Sequence, residues 1–140
     1  MNVNEEIQNF IETKIKESAV FKRFFESGFC VYYEATPENP KRPYLRYTLT
    51  APIVEARSLS MEYTAFQCTA TLNIVGNSLE QVRLLSEELF NIFDGKITLS
   101  NFPNIEDVAS TYPEENISFD AQTSRETFET AQSLTFHFIV

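Results

Sequence analysis

The chain has 140 residues, 43% of them hydrophobic, with thirteen phenylalanines, six tyrosines, three glycines, two cysteines and a formal net charge of −9 at pH 7. That length and apolar fraction suit one domain, residues 1–140, with one core, and exclude a wholly disordered chain. The scarcity of glycine excludes low-complexity linkers and glycine-rich phosphate cradles, and the acidic balance argues against direct binding to a nucleic-acid backbone, which requires a basic surface.

In chain order, Asn2 or Asn4 can cap a first helix, with Glu5 and Glu6 placed well for its dipole. Val3, Ile7, Phe10, Ile11 and Ile15 form its apolar stripe. The stripe runs on through Val20, Phe21, Phe24 and Phe25, with a break marked at Ser18-Ala19 and a stop at Gly28. Aromatic residues at this spacing read as core before they read as a ligand pocket. Phe29–Glu34 is a short strand candidate, the three prolines of Thr36–Pro43 make a loop, and Tyr44–Thr50 alternates as a second strand. Ala51–Ser60 is less patterned. It reads either as the tip of a long hairpin joining Tyr44–Thr50 to Met61–Val75 or as a surface loop.

The strongest local signal follows. In Met61–Val75, Phe66, Cys68, Ala70, Leu72 and Ile74 are apolar, whereas Gln67, Thr69, Thr71 and Asn73 are polar, the period of a strand with one buried face. Gly76-Asn77-Ser78 breaks it, and Ser78 with Gln81 fits a capping box. Leu79, Val82, Leu85, Leu89, Ile92 and Phe93 recur at helical spacing until Asp94-Gly95. Then come a brief strand candidate at Lys96–Leu99, a turn at Phe102-Pro103-Asn104, an edge strand in Ile105–Tyr112, a turn at Pro113–Asn116, a short strand at Ile117–Phe119 and a polar loop at Asp120–Ser124. A closing strand carries Phe128, Leu134, Phe136, Phe138 and Val140 on one parity and Glu129, Ser133, Thr135 and His137 on the other. The expected fold is α+β: a mostly antiparallel sheet of about four to six strands packed by two main helices, with a long hairpin arm.

Catalytic chemistry is hard to find. His137, the single histidine, lies on the polar parity, and Cys68 on the apolar parity of its strand, where a thiol is inert. Cys30 also reads as a small core residue, and a disulfide is not indicated. Adjacent carboxylates such as Glu87/Glu88 and Glu114/Glu115 point in different directions, so they do not converge as acid and base. P-loop, dinucleotide, zinc and EF-hand signatures are all missing from the sequence. The reading is therefore that the chain is not an enzyme and uses no cofactor or metal. Neither a secretory signal nor a membrane-spanning run is expected.

The order of elements resembles the tail terminator (tail completion) proteins of long-tailed bacteriophages. The matching stretches are the Ile7-to-Ile15 helix, the Pro43-Tyr44-Leu45-Arg46 start of a strand, the Phe66-to-Val75 strand running into the Ser78-to-Phe93 helix, and the terminal Leu134–Val140 strand. The resemblance implies a subunit that assembles as a ring, commonly a hexamer, on the end of the tail tube. The ring ends tube growth and offers the surface to which the head attaches. Its partners would be further copies of itself, the tail tube protein and a head completion or neck protein, with DNA passing through unread and no membrane involved. Its place would be the virion, assembled in the bacterial host cytoplasm. Glu55, Arg57, Met61 and Tyr63 of the arm are the expected interface residues, since arginine, methionine and tyrosine are favoured there. The alternatives are another head–tail connector or minor tail protein, or a small ligand-binding α+β module.

Overall fold

The computed structural model describes residues 2–26, 28–57, 63–94, 102, 104–120 and 125–139. Helix α1 (Val3–Glu17) starts where the Asn2 side chain accepts from the amides of Asn4 and Glu5, which satisfies two donors of the first turn. Its stripe Val3, Ile7, Phe10, Ile11 and Ile15 is buried throughout. Ser18 ends this helix and begins α2 (Ala19–Phe24): its backbone is extended, and its hydroxyl accepts from the Phe21 amide. The same hydroxyl donates to Glu88 at 2.6 Å. That bond ties the break to the helix α3 (Leu79–Phe93).

Strand β1 (Val31–Tyr33) is closed off by Glu34 at φ 65° and lies parallel to β2 (Tyr44–Leu49). The excursion after β2 is itself a strand, β3 (Ile53–Arg57), which pairs with the start of β4 (Thr64–Gly76). The hairpin reading thus holds, but within Ala51–Ser60, expected as its tip, Ile53–Arg57 already pair with β4. Every residue of β3 is exposed, which is why it lacks a period. Strands β5 (Ile105–Ser110), β6 (Glu114–Asp120) and β7 (Arg125–Ile139) complete the sheet.

The path through the sheet is β1-β2-β4-β7-β5, with β3 also on β4 and β6 also on β7. At its centre β4 and β7 run antiparallel through twelve residue pairs, from Ala65 opposite Ile139 to Gly76 opposite Phe128. The outer side of each central strand is shared by two successive strands: β2 then β3 on β4, β5 then β6 on β7. Among the described residues seven strands result, one above the expected range, and all their pairs but β1–β2 are antiparallel. The expected turn at Pro113–Asn116 is shorter than that, because Glu114 to Asn116 already pair with β7. Lys96–Leu99, Gly95 and the polar loop after Asp120 lie outside the described residues.

One face of the sheet carries the helices. Phe10 packs at 5.9 Å from Phe93 and from Phe136 and at 5.2 Å from Phe102, so α1, α3 and β7 meet in one aromatic cluster. Gly76 lies close against the helix: a Cβ there would lie 2.7 Å from Val82 Cγ1. The α3 cap differs slightly from a capping box. Ser78 Oγ accepts from the Gln81 amide at 3.1 Å, but Gln81 Oε1 accepts from the amide of Asn77, one residue before the cap.

Candidate interaction surfaces

The face of the sheet away from the helices is lined with hydroxyls. Thr48 stands opposite Thr71, which stands opposite Ser133, and Thr69 stands opposite Thr135. Gln67, Thr69, Thr71 and Asn73, singled out by alternation, are half-buried here. Threonine suits a pleated surface by its β-branching, and the middle of this face carries no charge. The charges gather at its ends. At one end His137 Nδ1 is 3.4 Å from Glu55 Oε2 and Nε2 is 3.7 Å from Asp107 Oδ1. At the other end the Asn73 amide donates to Glu129 at 3.0 Å.

Cys68 follows Gln67, the residue opposite His137, so its thiol lies on the other face of the sheet from that histidine. Cys68 points into the core, where burial pushes its thiol above the ordinary range, against a hydrogen bond with the Thr50 side chain that pulls the other way. Cys30 is buried as well, and the two thiols are free. Among the described residues, no group of His, Cys, Asp and Glu is arranged to hold a metal, and no helix is long and apolar enough to cross a membrane.

What the surface does offer is two hairpins at opposite ends of the central ladder. The first, β3–β4, carries the expected interface residues. Glu55 sits at a bulge and reaches His137, Arg57 pairs in register with Thr64, and Tyr63 is 54% exposed just before β4. Met61 lies outside the described residues. The structure adds Ile53 and Val54, 63% and 43% exposed, to the same hairpin.

The second hairpin, β6–β7, was not expected as an arm. Ile117 is opposite Phe128 and Phe119 opposite Glu126, so both belong to the face that the helices cover elsewhere; here they stand 55% and 64% exposed. The alternation Ile117-Ser118-Phe119 was visible, but nothing local said that its apolar side would meet solvent. Arginines brace this hairpin. Arg42 of the proline loop donates to the Glu126 carbonyl at 3.3 Å and to Thr127 Oγ1 at 3.1 Å, and Arg125 donates to Asn77 at 2.7 Å. Arg83 of α3 makes a two-pronged pair with Glu115 at 2.5 and 3.0 Å, which holds the Glu115 carboxyl below the usual carboxylate range.

Two clefts accompany these arms. One, of about 240 Å³, lies beside Arg83, Glu87, Tyr112 and Glu115. The other, of about 290 Å³, lies at the junction of α1 and α2, with Ile15, Phe21, Phe25 and Phe29 inside it and Lys16, Lys22 and Glu26 around it. Its volume falls just under the usual range of small-molecule sites and suits one large side chain. Lys16 Nζ stands 4.8 Å from the centre of the Phe29 ring.

No family model matches the chain, and no curated protein matches it. Solved structures do. A chain in a structure described as the virion of a native gene transfer agent particle superimposes with a TM-score of 0.51, at 10% identity, over 89% of this chain and 90% of that one. A second solved chain, whose description states no function, superimposes with a TM-score of 0.56, at 11% identity, over 96% and 94%. At these identities the likeness is one of fold, and it runs through nearly the whole of each chain.

Proposed function

We propose that this chain is a structural assembly protein of a tailed, phage-like particle: a terminator subunit that closes the end of the tail tube as a ring, stops its growth and presents the surface for head attachment. The observation that carries the reading is the fold shared, over nine-tenths of both chains, with a component of a gene transfer agent virion. The two hairpins support it. They expose apolar side chains at opposite ends of the subunit, the layout needed when one surface of each copy meets a different surface of the next. Glu55, Arg57 and Tyr63 of the first hairpin are the residues proposed to meet a partner, whether a neighbouring copy, the tube protein or a neck protein. The mechanism is binding rather than catalysis. DNA crosses the ring unread, since the net charge of −9 opposes retention of phosphates.

The test is the solution mass by light scattering, alone and with polymerising tube protein. A ring-sized species, or capped tubes of arrested length, supports the reading. A monomer that neither binds nor arrests tubes sinks it, and attention then passes to the α1–α2 cleft as a ligand site.

A further inference from the structure

We infer that the β6–β7 hairpin of one copy docks, Phe119 foremost, into the α1–α2 cleft of the next copy. The inference rests on the ring reading for its setting and names the contact that would build the ring.

Three observations converge. Phe119 and Ile117 are large apolar side chains left in water on one face of a braced hairpin, an arrangement that gains by burial at about 25 cal/mol per Å² of apolar surface. The cleft is walled by Phe21, Phe25 and Phe29 and is sized for one ring, which edge-to-face packing would favour. Charge is complementary as well. Residues 14–23 hold Lys14, Lys16, Lys22 and Arg23, four of the chain's eleven basic residues, whereas the face of the hairpin that bears Phe119 carries Glu126, directly opposite it, and Glu115, which Arg83 holds. In a chain this acidic, a basic segment beside an aromatic cleft selects an acidic, aromatic-tipped partner, and the hairpin has that composition.

Position decides between self-docking within a pair and docking along a series. The cleft borders Phe29, just before the edge strand β1, and the hairpin hangs from the opposite side of the sheet, beyond β7. Donor and acceptor are therefore different surfaces on opposite edges, so the contact is head-to-tail and propagates until it closes. The bracing of the hairpin by Arg42, Arg83 and Arg125 keeps the ordering cost of docking low.

The experiment mixes two variants, one carrying Phe119→Cys and the other Lys22→Cys, under mild oxidation. The native Cys30 and Cys68 are both buried, which keeps the background low. A disulfide-linked heterodimer from the mixture, well above that given by Phe119→Cys with Tyr112→Cys, an exposed position that lines the other cleft, is the expected result. Lys16→Glu with Lys22→Glu should weaken self-association about tenfold or more, and pairing that variant with Glu126→Lys should restore part of it. No heterodimer and no rescue overturn the contact. If wild-type rings form all the same, the ring reading survives that failure. Conversely, a specific crosslink combined with tubes that the protein never arrests keeps the contact and removes the terminator role.

Discussion

The β3–β4 hairpin and the β6–β7 hairpin leave opposite ends of one ladder, and they are held in different ways. The first meets an imidazole, that of His137, set between Glu55 and Asp107, which pairs with carboxylates as an ion only when protonated. The second is held by three guanidinium groups, charged at every pH a protein tolerates, from the proline loop, from α3 and from its own strand. An arm meant to seat a partner gains from being braced beforehand, because less ordering remains to be done on contact.

The comparison can be broken from beneath. Phe136 lies on the shared ladder, fully buried against Phe10, so Phe136→Ala should cost about 3–5 kcal/mol and lower the denaturant midpoint of the whole domain, taking both arms with it. An unfolding curve in which one hairpin melts separately would show that the ladder does not couple them. Next in size is Gly76→Ala, at the pair from which the second hairpin departs. Its new methyl would press on the buried Val82 at 2.7 Å, and a cost of about 1–3 kcal/mol is expected, with amide exchange rising around Phe128 more than around Phe66. His137→Asn should do the reverse. A loss of about 0.2–1 kcal/mol, as for exposed ion pairs, should come with faster exchange in β3 and an unchanged β6. Smallest is the acid response of Glu115. Its carboxyl is held low by Arg83, so the pair contributes above the ordinary glutamate range and is lost as pH falls through the depressed value. In Glu115→Gln, the exchange rates of β6 should lose that acid-limb step, while β3 behaves as before.

The same contrast explains which parts of the fold were legible in the sequence. Helices α1 and α3 and the strand β4 could be read because each buries one face and wets the other, so Ile7, Phe10, Leu85, Leu89, Cys68 and Leu72 repeat at the period of their element. The Ser18 break and the Ser78 cap were legible as local hydrogen-bonding chemistry. Strand β3 and the first half of β6 were not, because neither side of them is buried and a strand without a dry face has no period. Nor did anything local connect Arg42 to Thr127, Arg83 to Glu115 or Ser18 to Glu88, pairs separated by 32 to 85 residues. Of the expected contact residues, Glu55, Arg57 and Tyr63 do gather on one hairpin, whereas Ile117 and Phe119 emerged only once β7 supplied a register.

Strand β7 runs unbroken for fifteen residues, roughly 50 Å at the usual rise per residue, and β4 is laced to it along twelve of them. Hydrogen bonds across such a pair lie perpendicular to the strands, so a push along its length loads covalent backbone, while sliding one strand past the other would require many bonds to give at once. The pair is a strut. A load applied at the β6–β7 tip travels down it to the far end, where Gln67 and His137 carry the base of the other arm. A subunit with such a spar would transmit strain from one neighbour to another instead of absorbing it in its core.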